Sequence, residues 1–239
     1  MARKMSRFVV CILGLLLATT TVFYGPRGAV AATQNDLAAR SLENVEIEAQ
    51  SIGSLLLKLS LFYDIPVGFE AASNDDEQVD YQLDFKKGSL SDLLNEFVAR
   101  HDQYVWEIRD GVVNIFPKDN YRDALFRDLL ATQIYSFAVK KKTSCLELAK
   151  SLAATSEVRK VLAAYGTSYR ERSFSGAYIP QVGQNFALDV SNMTLKSMLN
   201  KVIKESPAAR FWLVTRNSSD QTFYLSVNAR FEDAPSELD

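Results

Sequence analysis

"LDFKKGSLSDLLNEF" occupies residues 83–97, and "LDVSNMTLKSMLNKV" occupies residues 188–202. In and just after the first phrase, the apolar positions Leu90, Leu93, Leu94, Phe97 and Val98 fall at i, i+3, i+4, i+7 and i+8, one face of an amphipathic helix. A shift of 105 residues reaches Leu195, Met198, Leu199, Val202 and Ile203, all apolar, and carries Asn95 onto Asn200 on the polar side. Ahead of each helix, Tyr81, Leu83 and Phe85, or Phe186, Leu188 and Val190, alternate as a half-buried strand does, with Gln82, Asp84 and Lys86 facing water. Ser89 and Thr194 stand where an N-cap is needed, and Asp92 completes a capping box with Ser89. The same local instructions are written twice, so the chain reads as two copies of one folding unit.

The correspondence extends in both directions. "QYVWEIRDGVVNIF" predicts a hairpin whose Asp110-Gly111 turn suits the primed geometry, and "RFWLVTRNSSDQTFYLSV" predicts a second with a longer loop. One added residue brings Trp106 into line with Trp212. Upstream, a strand at Val45 and Ile47 precedes a helix with Leu55, Leu56, Leu59 and Phe62 on one face, and Pro66 opens a strand containing Val67 and Phe69. Strand residues 134–139 and a helix from Ser144, with Glu147 closing another capping box, repeat that order. This helical pattern continues through Val158, Val161 and Leu162. The expected fold class is therefore α+β: two small β-α-β-β-α-β-β units, each with two helices packed on one face of a short mixed sheet. Their bounds are 44–118 and 134–232, the second carrying an inserted helix extension and loop at about 153–184. Between them, residues 119–133 place Tyr121, Leu125 and Leu129 on one stripe, a linking helix that packs one unit on the other and leaves a groove between them for a partner.

The N-terminus combines Arg3, Lys4 and Arg7 with an apolar run from Phe8 to Phe23 and a small-x-small site at Ala29-Val30-Ala31. This is the pattern of a secretory signal peptide cleaved near Ala31. The run is also close to the ~17-residue lower limit of a membrane span, so a retained anchor is the alternative. Residues 32–43 read as a linker and 233–239 as a tail. Of 27 basic residues, Arg3, Lys4, Arg7 and Arg27 leave with the signal, so the mature chain has 23 against 29 acidic ones, a balance of −6. That sign disfavours nucleic acid as the partner. Cys145 is then the remaining cysteine, and the fold must hold without an internal disulfide; the thiol reads as partly buried at a helix start, with a reactive role as the alternative. No later stretch is long and apolar enough to insert in a bilayer.

The stretch from Asn44 to Lys118, through "LLLKLSLFYDIPVGF", "LDFKKGSLSDLLNEFV" and "YVWEIRDGVVNIF", resembles the short N-terminal domain shared by secretins and TonB-dependent transducers. The second unit resembles it more loosely, with Met193 in place of Gly88 and an insertion the pattern does not contain. The resemblance implies a bacterial periplasmic location and a binding role. Its expected partner is a protein of the cell envelope, from a secretion or pilus machine or from a regulator acting across the membrane. No barrel-like succession of strands follows, so the domain is expected here free of its usual attachment.

For catalysis the residues offer little. His101 is the sole histidine and stands at a helix end, where the helix dipole favours its cation. The acidic run Asp75, Asp76, Glu77 lacks the alternating ligands and bend glycine of a calcium loop. No phosphate loop or nucleophile elbow occurs. No catalytic residue, metal ligand or cofactor is expected. Lys140, Lys141 and Lys142 read either as a solvated corner or as a docking patch for an acidic partner. Tyr169, Arg170, Arg172 and Tyr178 belong to the insertion, where partner-specific contacts are expected. An exported enzyme or small-ligand carrier with its site between the units is the competing reading.

Overall fold

Both repeated helices begin as their caps direct. The Ser89 side chain accepts from the Asp92 amide while the Asp92 carboxylate accepts from the Ser89 amide, starting the helix Leu90–Arg100; Thr194 accepts from the Ser197 amide and starts Leu195–Glu205. The computed structural model describes residues 34–72, 81–139, 143–170, 187–206, 209–217 and 222–229. The predicted signal peptide, the acidic run at Asp75, the later part of the expected insertion from 171 to 184, the expected strand residue Phe186 and the tail lie outside these residues.

In chain order the elements are α1 (Gln34–Ala38), β1 (Ser41–Ala49), α2 (Ile52–Phe62), β2 (Val67–Glu70), β3 (Tyr81–Ser89), α3 (Leu90–Arg100), β4 (Tyr104–Arg109) and β5 (Val112–Pro117). A 3-10 turn (Asp119–Tyr121) and α4 (Ala124–Ala131) lead to β6 (Gln133–Val139), α5 (Cys145–Ala153), α6 (Ser156–Ala164), β7 (Ser168–Tyr169), β8 (Leu188–Thr194), α7 (Leu195–Glu205), β9 (Ala209–Asn217) and β10 (Thr222–Ala229). The fold is α+β. Residues expected to form a linker before residue 44 instead hold α1 and the start of β1, because Ser41 already pairs with Ser89.

Each half uses its strands in the same way. In the first, β1 and β3 form an antiparallel ribbon, while β4, β5 and β2 lie side by side, β4 antiparallel to β5 and β5 parallel to β2. In the second, β6 and β8 form the ribbon, and β9, β10 and β7 repeat the order and the directions. The helices do cover one face of a mixed sheet, and the ribbon closes over their other side. Val45, Ile47, Leu83 and Phe85 of the first ribbon and Val67, Phe69, Val113 and Ile115 of the sheet share one core with Leu55, Leu59, Leu94 and Phe97 of α2 and α3. The Asp110-Gly111 turn has positive φ at both residues, 58° and 76°, as a type I′ turn requires.

The halves do not face each other across a groove. β2 pairs in parallel with β9, so both repeats build one six-stranded sheet, ordered β4-β5-β2-β9-β10-β7. Strand β9 runs opposite to β4, its counterpart, and the helices of the second half lie on the opposite face of the sheet. The repeats are thus related by a half-turn about an axis along the sheet together with a shift. Strand β9 serves both cores: Phe211 and Leu213 pack with the first half, Trp212 and Val214 with the second. This explains why "FWLV" is apolar without alternation.

The predicted linking helix is shorter than expected. Asp123 caps α4 by accepting from the Leu125 amide, and Leu125, Phe126, Leu129 and Leu130 join the second core, whereas Tyr121 in the preceding turn packs on the first. The helix expected to run from Ser144 through Leu162 breaks into α5 and α6. At the break the Thr155 hydroxyl donates to the Leu152 carbonyl at 2.8 Å, a side-chain bond that competes with the helical ladder.

Candidate functional site at the edges of the shared sheet

The joint between the halves shows what this sheet does with an open edge. Along β2 and β9, Val67 lies opposite Phe211, Gly68 opposite Trp212, Phe69 opposite Leu213 and Glu70 opposite Val214. A Cβ on Gly68 would fall far inside van der Waals contact of the Trp212 indole, so only glycine lets the ring lie across the strand. The indole N–H donates to Asn200 Oδ1 of α7 at 2.9 Å. Polar clamps flank the strands: Ser60 Oγ donates to the Arg210 carbonyl at 2.7 Å, and Arg210 Nε donates to Asp64 Oδ1 at 2.7 Å.

At the far end of β2, Glu70 is buried with its side chain 1% exposed and meets Arg122 in a two-pronged pair of 2.7 and 2.8 Å. Burial pushes the Glu70 carboxyl above its usual range, and the Arg122 guanidinium and Lys196 ammonium pull the other way. Lys196 lies 4.6 Å from the centre of the Phe116 ring and bonds Glu107 at 2.9 Å. These groups fasten α7 and the linking segment to the outer face of β4 and β5.

The two ends of the sheet are unlike. At one end, β4 has β5 as its one strand neighbour among the described residues. Trp106, half-buried, donates its indole N–H to Asn95 Oδ1 of α3 at 3.1 Å, the counterpart of the Trp212–Asn200 bond. Helix α1 lies beside α3 and β4, with Leu37 against the first core. At the other end is β7, two residues long. Here the structure places Tyr169 and Arg170 of the predicted contact residues: Tyr169 is half-buried with its ring 6.4 Å from Phe223, and the Arg170 amide donates to the Phe223 carbonyl while its side chain is exposed. Tyr169 also borders an open cleft of about 660 Å³ with apolar walls at Ala153, Leu162 and Ala163 and basic groups from Lys150, Arg159 and Lys160. Lys140, Lys141, Lys142, Arg172 and Tyr178 lie outside the described residues.

Sequence reasoning aligned Asn95 with Asn200 and Trp106 with Trp212 but did not connect the two pairs. It also missed Gly68, Glu70 and Arg122. A glycine inside an otherwise β-rich run was the available sign of close backbone approach. His101 is the C-cap residue of α3; its ring lies 4.7 Å from Phe97 and 5.5 Å from Tyr81, and burial, aided by Arg100, lowers its pKa below 6.5. Cys145 is partly buried against the second core, next to the Ser144–Glu147 capping box. Among the described residues, no group of three or more His, Cys, Asp or Glu side chains is placed to hold a metal ion, and no helix is long and apolar enough to cross a membrane. No family model, no curated protein and no solved structure matches the chain.

Proposed function

We infer that the chain is a periplasmic, non-catalytic interaction module of the cell envelope, accessory to a secretion, pilus or outer-membrane receptor and signalling system. One observation carries this reading: a sheet assembled from two repeats ends in an edge strand, β4, that has one strand neighbour among the described residues and presents a half-buried tryptophan beside it. An edge of this kind offers backbone donors and acceptors in register together with an apolar anchor, which suits protein docking. The signal-like N-terminus supports export, and the resemblance of residues 44–118 to docking domains of secretins and TonB-dependent transducers supports the partner class.

Photo-crosslinking in the periplasm from a probe at Arg109, followed by mass spectrometry, tests it. A discrete protein adduct is expected, on a chain whose N-terminus begins near Ala32. Co-purification of a small molecule with no protein adduct from any surface probe would overturn the reading. That outcome favours a small-ligand carrier, with its site in the second half's basic-rimmed cleft beside Tyr169 rather than between the two units.

A further inference from the structure

The repeat allows the open edge to be read against an occupied one. Trp106 and Trp212 hold equivalent places: each lies opposite an apolar residue of the next strand, Ile115 or Val227, and each donates to the equivalent asparagine of the preceding helix in its own repeat, Asn95 or Asn200. Trp212 is 1% exposed because β2 runs alongside β9 and sets Gly68 opposite the indole. Trp106 has the same ring and the same anchor, and it is half-buried at an edge. We propose that β4 is a socket for an extended strand of a partner protein, running parallel to β4 with a glycine opposite Trp106, as β2 occupies β9. This rests on the interaction reading above and specifies its ligand.

The residues of β4 also define how the guest differs from β2. Val105 and Ile108 take the places of Phe211 and Val214, so apolar guest residues suit them. Glu107 replaces Leu213, so a hydrogen-bond donor such as threonine suits the position that Phe69 fills in β2. Tyr104 replaces Arg210 and its hydroxyl already accepts from the Ala72 amide at 2.9 Å, so the guest needs no counterpart of Asp64. A second copy of this chain is a poor guest, because its own Val67-Gly68-Phe69 strand is already paired on both sides, with β5 and β9.

The test titrates the compact unit, residues 32–239, with the synthetic peptide IPVGTVKK and follows the two tryptophan indole N–H signals by NMR, assigned with Trp106→Phe. The expected result is a saturable shift of the Trp106 signal, with Trp212 as the internal control of folding. Binding should weaken at least tenfold when the peptide glycine becomes leucine, and at least tenfold for Trp106→Ala, where isothermal titration calorimetry replaces the lost indole signal. Three results overturn the socket: no shift at millimolar peptide, equal binding of the leucine peptide, or a dimer by light scattering that withdraws when Trp106 is changed. If the peptide fails while crosslinking captures a protein elsewhere on the chain, the socket falls and the interaction reading stands.

Discussion

Glu70 and Arg122 meet where β2, the linking turn and α7 converge, and neither can be changed alone without leaving the other stranded. Because burial outweighs the nearby cations, Glu70 keeps its proton to a higher pH than the 4.5 of a free side chain. The folded chain then binds that proton more tightly than the unfolded one does. This carboxyl therefore favours the fold most below pH 4.5, and its contribution declines as pH rises from there through the raised folded-state pKa. Arg122→Met removes the main compensating charge and should cost about 3–5 kcal/mol at neutral pH. Urea denaturation should show a smaller loss in acid, where Glu70 is protonated, than at neutral pH; an equal loss at both pH values would count against the pairing as the cause. His101 has the opposite sign. Its lowered pKa means that stability falls as pH drops below 6.5, and His101→Gln should flatten that decline.

Helix starts were the most legible elements, because capping is a local transaction between residues three apart. Ser89→Ala should cost about 1 kcal/mol in a denaturant midpoint measurement at unchanged slope, since it removes a bond to the Asp92 amide. The strand patterns and the primed turn at Asp110-Gly111 were legible for the same reason. What could not be read was pairing between distant strands: nothing near Val67 in sequence says that its second neighbour is Phe211. Gly68 records that pairing only as a missing side chain. Gly68→Val should therefore destabilise by about 1–3 kcal/mol or more through overpacking against Trp212. A double-mutant cycle with Trp212→Phe should show coupling, and strict additivity would mean that the indole does not fill the glycine's place. Short local competition was also hard to see, as at Thr155, where a hydroxyl bond divides a continuous apolar periodicity into α5 and α6.

Two units with separate cores, as the sequence suggests, would melt separately, whereas a strand that feeds both cores ties them together. Calorimetry should therefore give one transition, with Phe211, Trp212, Leu213 and Val214 transmitting the loss of either half to the other. Trp212→Ala, expected to cost about 3–5 kcal/mol, should broaden or split that transition. Two well-resolved peaks in the unaltered chain would contradict the shared strand. The operation relating the repeats, a half-turn with a shift along the sheet, has a consequence for valence. A two-fold joint uses the same patch on both partners and saturates itself, but this one leaves an acceptor at one end and a donor at the other and could in principle be repeated indefinitely. At the donor end the described residues form the two-residue strand β7. On the socket proposal, the full-length acceptor at β4 would take a guest, and no donor strand longer than the two residues of β7 stands at the other end among the described residues to seat on a further body.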